Sequence, residues 1–187
     1  MNYSDFDNFK YNIYSQNGED GIIQELILRL EGKISKEPWC VEFGAWDGIH
    51  MSNTFNLVEN GWNAFYIEGN RERYSQLKKT CKKFSNILSE CKYVEKDSQS
   101  PNSLDNILRS KKIPIDFDIL SIDIDSFDLE IWESLRNYSP KIVIIEINSG
   151  FLPKCIKGLD QDSKPFMSIK KINNAQMKQA QSEVTKT

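Results

Sequence analysis

Short apolar runs separated by amphipathic stretches organise this chain. Trp39 to Phe43, Ala64 to Ile67, Tyr93-Val94, Ile119 to Ile124 and Lys141 to Ile147 read as strands. Their centres recur at a spacing of roughly 25 residues, the period of strands alternating with crossover helices in a parallel sheet. Between them the apolar spacing turns helical. Ile22, Ile23, Leu26, Ile27 and Leu30 share one face, and Gly32 ends that helix. Ser52 to Glu59 is a short helix stopped by Gly61, and Arg71 to Phe84 carries a Tyr74, Leu77, Cys81 and Phe84 stripe that reads as core. Ser103 caps a helix to Ser110, and Ile131, Trp132 and Leu135 mark one more. Met1 to Tyr14 has no period and reads as an extended lead-in. After Ser149 the pattern fades: Pro153, Gly158 and Pro165 break the chain, residues 166–181 form at most one helix, and the tail frays. The expected architecture is α/β, a doubly wound, mostly parallel sheet of about five strands with helices on both faces. Residues 1–150 form the domain and 151–187 an irregular or helical tail.

The stretch from Trp39 to Asn70 carries the candidate chemistry. It reads as strand, glycine turn, helix, strand and acid, half of a nucleotide-binding unit. Gly44 and Gly48 bracket the turn, and open amides at the following helix start attract an anionic group. Glu68 follows Gly48 by 20 residues at the end of the second strand, where a carboxylate can accept both hydroxyls of a ribose. An ordinary loop is the competing reading of the two glycines. A dinucleotide fingerprint would need a glycine where Trp46 stands. Glu42 beside the turn repels phosphate but suits an ammonium group. The pattern E-x-G-x-x-x-G therefore resembles motif I of class I S-adenosylmethionine (SAM) methyltransferases.

Other polar positions carry two readings each. Ser15, Gln16, Glu19 and Asp20 either cap the first helix or form a polar cluster at the cleft. His50 is either a surface residue or the one imidazole that can act as a base. Ser52, Asn53 and Thr54 suit capping or holding a carboxylate. Asp97, after the weak third strand, is an adenine contact or turn chemistry. Asp123 and Asp125 fall at the carboxyl end of an apolar strand, where ligands bind in α/β sheets. Capping of the helix near Leu129 is their alternative. Glu146 is again an acid late in an apolar run.

Composition narrows the field. With 187 residues, a net charge of -3 and a pI near 5.3, the chain has no electrostatic footprint for nucleic acid. No apolar stretch reaches about 18 residues, and MNYSDFDNFK has no secretory pattern, so a cytoplasmic, membrane-free protein is expected. Cys40, Cys81, Cys91 and Cys155 lack metal spacing, and Cys40 suits a packed strand.

Taken together, YSQNGEDGII, VEFGAWDGIHMSNT, GWNAFYIEG, FDILSIDIDSFD and VIIEIN resemble the FkbM-type branch of SAM-dependent methyltransferases. The likeness spans about Tyr14 to Asn148, with the segments in family order. It implies a Rossmann-like sheet, SAM as donor, and methyl transfer to a hydroxyl of a small molecule, sugar or glycan. It assigns Glu42, Gly44, Ala45 and Gly48 to the methionine part of SAM, Glu68 to the ribose, Asp97 to the adenine, and Asp123 to the methyl region. Complete members continue to a final pair of strands, so a shortened C-terminus with one open sheet edge, and a homodimer as one way to cover it, are expectations too. For the proton, Asp123 or Asp125 is the first choice of base and His50 the second. A divalent cation between Asp123 and Asp125 is an open but unfavoured alternative. The rival readings are a domain that binds SAM or a partner without turnover and, less favoured, a nicotinamide-dependent oxidoreductase. A hydrolase lacks its G-x-S-x-G elbow.

Overall fold

A computed structural model of the protein describes residues 3–124 and 127–145. Five strands form one sheet: β1 (Trp39–Phe43), β2 (Asn63–Ile67), β3 (Ile87–Glu90), β4 (Ile119–Ile122) and β5 (Ile142–Ile145). Their order is β3-β2-β1-β4-β5 and every pairing is parallel. Cys40 sits beside Ala64 on one flank and Ile119 on the other, and Phe43 beside Ile67 and Ile122. The carboxyl ends of β1, β2 and β4 are therefore level, and the chain reverses its winding direction at β1. Such a switch point opens a crevice at those ends.

The two-residue alternation of strands builds two cores. Cys40, Ala64, Tyr66 and Ile119 point to one face, where Ile23, Phe55, Leu57, Val58 and Leu77 cover them. Those come from α1 (Glu19–Arg29), α2 (Phe55–Glu59) and α3 (Arg71–Cys81). Val41, Phe43, Phe65, Ile67, Leu120 and Ile122 point to the other face, under Leu104, Ile107, Leu108 and Ile131 from α4 (Leu104–Ser110) and α5 (Asp128–Ser134). Helices thus cover both faces, and β4 is buried at every residue. Asp118, fully buried before β4, accepts hydrogen bonds from the Ser35 and Trp39 amides (2.9 and 3.0 Å) and from Lys141 Nζ (2.6 Å). It stitches the amino ends of β1, β4 and β5, opposite the crevice.

The structure moves several expected boundaries. The third strand is Ile87–Glu90, ahead of Tyr93-Val94; Tyr93 is 70% exposed. With only Ile87 and Leu88 apolar, this edge strand carries a weak pattern, and its pairing to β2 defines it. The lead-in holds a 3-10 helix, Tyr3–Phe9, with the Arg29 guanidinium over the Phe6 and Phe9 rings. α2 begins at Phe55, not Ser52, because residues 52–54 bind a buried carboxylate. No helix of the described residues is long and apolar enough to cross a membrane. Asp125, Glu146, Asn148, Cys155, the breakers Pro153, Gly158 and Pro165, the 166–181 helix and the tail lie outside the described residues, as does the domain boundary.

Candidate functional site

The glycine turn leaves β1 at the sheet's centre. Gly44 has φ +80°, and a Cβ built there would lie 1.7 Å from the Asp123 carbonyl oxygen. Glycine is needed because the exit of β4 crosses at contact distance. The Gly44 and Ala45 amides donate to Ile67 O (3.1 and 3.3 Å), locking the turn to the end of β2. A Cβ on Gly48 would meet Leu77 and Tyr66 at 2.7 and 3.1 Å, so Gly48 lets the turn press on α3 and β2 rather than on the helix that follows it. Trp46, in the left-handed region at φ 47°, turns its ring away toward α3: Nε1 donates to Gln76 (3.0 Å) and the Arg73 guanidinium lies 4.9 Å from the ring centroid.

Glu68 is 4% exposed at the end of β2. Its Oε2 accepts the Trp46 amide at 2.9 Å and its Oε1 the Asn70 amide at 2.7 Å. One carboxylate thus joins the glycine turn to the cap of α3, where Asn70 Oδ1 accepts the Glu72 and Arg73 amides. Each carboxylate oxygen keeps a second acceptor direction. Beside it, the Tyr93 ring lies against Gly69, where a Cβ would fall 2.4 Å from the ring. With most of its surface in solvent, Tyr93 sets an aromatic platform next to Glu68. The apolar pattern marks this residue only as strand, not as part of a site. Its one sequence signal as a site residue is Gly69, the residue that makes room for it.

Glu42 corrects the expected anion site. At 5% exposure, its Oε2 accepts Ser52 Oγ (2.9 Å), the Thr54 amide (3.1 Å) and Thr54 Oγ1 (2.5 Å). The Phe55 amide donates to Ser52 Oγ at 3.0 Å. The Thr54 and Phe55 amides at the start of α2 are therefore spent inside the protein, the first of them on the chain's own carboxylate. Burial pushes the Glu42 carboxyl up to about 7 against the pull of the Thr54 and Ser52 donors. Below it, Tyr66 Oη lies within hydrogen-bond distance of Thr54 Oγ1, at 3.1 Å.

Asp123, half-buried just past β4, lines a small open cleft of about 90 Å³ with Ile122, Ile144, Ile145, Asn53, Gln16, Asn17 and Glu19. Asn53 Nδ2 donates to the buried Ser121 hydroxyl (3.1 Å), fixing the residue at the cleft. The expected polar cluster divides in two. Gln16 and Glu19 reach the cleft, whereas Ser15 and Asp20 are buried in a loop bracket. Asp20 Oδ2 accepts the Ile13, Tyr14 and Ser15 amides at 2.7, 2.8 and 2.9 Å, and Ser15 Oγ accepts the Asp20 amide (3.0 Å). α1 itself starts at Glu19 after Gly18, with no side-chain cap.

Two candidates fall elsewhere. His50 is exposed, its ring edge-on to Trp46 at 5.2 Å, and it is not among the residues lining the cleft with Asp123. Asp97 is exposed seven residues beyond Glu90, the end of β3, and its carboxylate accepts the Gln99 amide at 2.9 Å. That is turn chemistry, and the shift of β3 removes the reason for placing Asp97 beside an adenine. Among the described residues no cluster of three His, Cys, Asp or Glu could hold a metal ion.

No protein-family model matches the chain, and no curated protein does. Among solved structures, M. capricolum TrmK in complex with S-adenosyl-homocysteine (SAH) is similar at 18% identity, over 63% of this chain and 47% of that one, with a TM-score of 0.39. The fibrillarin/Nop5p complex is similar at 16% identity, over 66% of this chain and 58% of that one, with a TM-score of 0.40. The chain thus spans about half the length of the structures it matches. These likenesses concern the fold, whose parallel β3-β2-β1-β4-β5 sheet stands on its own pairings.

Proposed function

We propose that the chain is a class I methyltransferase domain that binds SAM at the carboxyl ends of β1, β2 and β4 and methylates a hydroxyl oxygen of a small molecule, sugar or glycan. The observation that carries this reading is the pair of buried carboxylates at the ends of β1 and β2. Glu42 and Ser52 occupy the Thr54 and Phe55 amides at the start of α2, so a pyrophosphate would meet a carboxylate where a dinucleotide needs bare N–H groups. Glu68 keeps acceptor directions beside the turn, as a ribose diol requires. A nucleoside without phosphate fits both facts, and SAM is such a ligand.

When bound, SAM supplies an electrophilic methyl group on a sulfonium. The protein's part is alignment and proton removal. Glu68 orients the ribose, and Tyr93 offers a face to the adenine. Gly44, without a side chain, keeps the floor of the site flat between β1 and β4. Asp123, in the adjoining cleft, is set to take the proton of the acceptor hydroxyl, with Asp125 the alternative. Fixing donor and acceptor in line can contribute up to about 7–11 kcal/mol of the barrier reduction, so a single carboxylate suffices for the rest.

Calorimetric titration of the 187-residue chain with SAM, with NADH as the comparison, tests the reading. Saturable SAM binding without NADH binding is expected; the reverse pattern, or no binding by the folded chain, overturns it. Glu68→Gln is expected to weaken SAM by roughly 1.5–3 kcal/mol, the value of hydrogen bonds to a charged acceptor. An unchanged affinity takes Glu68 out of the site.

A further inference from the structure

The cleft that holds Asp123 has one wall built by the N-terminal loop. Gln16, Asn17 and Glu19 line it. The loop is held from beneath by Asp20, whose buried Oδ2 gathers three consecutive amides and the Ser15 hydroxyl. Its other oxygen, Oδ1, is buried without a partner. A buried, half-satisfied carboxylate is costly, and what it secures is the placement of Gln16 to Glu19 at the cleft.

Glu19 is the charged residue of that wall. Asn17 grips it twice, the amide on Oε2 at 2.7 Å and Nδ2 on Oε1 at 3.1 Å. Burial raises its carboxyl, but the Asn17 and Ser15 donors outweigh that and hold it below the usual range. Glu19 is thus a fixed, ionised acid. No lysine or arginine among the described residues pairs with it, and none lines the cleft. An ammonium group in the cleft would find in Glu19 an oriented, charged partner. Gln16 and Asn53 add amide donors and acceptors suited to hydroxyl groups.

We infer that Glu19 anchors an ammonium group of the acceptor, so that the substrate is an amino-polyol, an amine-bearing sugar or sugar-like alcohol, whose neighbouring hydroxyl is presented to Asp123. This rests on the proposed SAM site and deepens it from the acceptor side. Glu19 is a specificity residue here: it binds the acceptor and takes no part in the proton transfer.

The test is titration of the SAH-loaded chain with D-glucosamine, D-glucose and D-glucuronate at pH 6.5. Glucosamine is expected to bind about tenfold or more tightly than glucose, and glucuronate least, as a charged hydrogen bond predicts. Glu19→Gln is expected to abolish the preference while SAH affinity stays unchanged. Asn17→Ala, at an exposed position, is expected to reduce it in part. Equal binding of the three sugars, no binding of any, or a preference that survives in Glu19→Gln overturns the inference. Failure of SAH to bind would instead overturn the cofactor reading beneath it, and this inference with it.

Discussion

At the residue scale, the crevice is defined by what each buried carboxylate holds. Glu42 and Glu68 sit near the carboxyl ends of adjacent strands, Glu42 opposite Tyr66 and Glu68 one residue past β2, and their surroundings differ. Glu42 lies among hydroxyls and an amide under full burial, and its carboxyl rises to about 7. The folded state therefore binds the Glu42 proton more tightly than the unfolded chain, whose glutamate titrates near 4.5. That contribution is complete below pH 4.5, falls as pH rises, and is gone above pH 7. Denaturant unfolding at pH 4 and pH 8 is expected to show the wild type losing up to about 3 kcal/mol more than Glu42→Gln over this interval. Parallel losses in the two proteins would assign the pH response to other groups. Tyr93 is the complementary case, an exposed ring with no burial to stabilise it. Tyr93→Ala is expected to leave the unfolding midpoint unchanged and to weaken SAM by about 1–3 kcal/mol, the range for base–aromatic stacking. Tyr93→Phe keeps the ring and is expected to bind as the wild type. An alanine variant with full affinity would remove the platform from the site.

Among the elements, the turn between β1 and α2 is the least tolerant. Gly44 combines a left-handed backbone with a backbone oxygen where a Cβ would stand, so relief needs β1 and β4 to separate. Gly61, also left-handed after α2, has nothing within 4 Å. Gly44→Ala is expected to cost at least about 2 kcal/mol and to reduce SAM binding, while Gly61→Ala costs about 1 kcal/mol, the backbone strain alone. Equal costs, measured by chemical denaturation, would show that contact with the Asp123 carbonyl is unimportant. The helix caps follow plain rules. Asn70 caps α3 and Ser103 caps α4 through their own side-chain oxygens. α2 departs from the rule: its Ncap residue, Thr54, makes no side-chain cap, and Thr54 Oγ1 binds Glu42. That interaction both shortens the helix and closes the anion site.

On the scale of the whole molecule, one sheet supports both halves of the crevice. The Asp118, Lys141 and Ser35 cluster ties its amino ends, and the Glu68 and Gly44 contacts tie its carboxyl ends. A ligand that bridges β1, β2 and β4 would bind only the folded state. SAH at about 100 times its dissociation constant is therefore expected to stabilise the chain by about 2.7 kcal/mol. The measurement is the shift in unfolding midpoint, with NADH as the inert comparison. No shift at that concentration would separate the fold from the ligand.

The alternation of apolar runs and amphipathic stretches was enough to establish the parallel α/β sheet, because strands buried on both faces must be almost wholly apolar. β1, β2, β4 and β5 were all legible in this way, as were the helices of α1, α3 and α4. The positions of Glu42, Glu68 and Asp123 at strand ends were legible too, since charge inside an apolar run needs a reason. What those carboxylates touch was decided only by tertiary structure. β3 has too few apolar residues to mark its place, so the pattern puts the third strand at Tyr93-Val94 and leaves Asp97 after it as an adenine contact or turn chemistry. The Thr54 amide at the start of α2 looked open because the residue that fills it, Glu42, lies 12 positions before Thr54. Pairing across such a distance leaves no local pattern. It arises when the parallel sheet brings the end of β1 beneath the next helix.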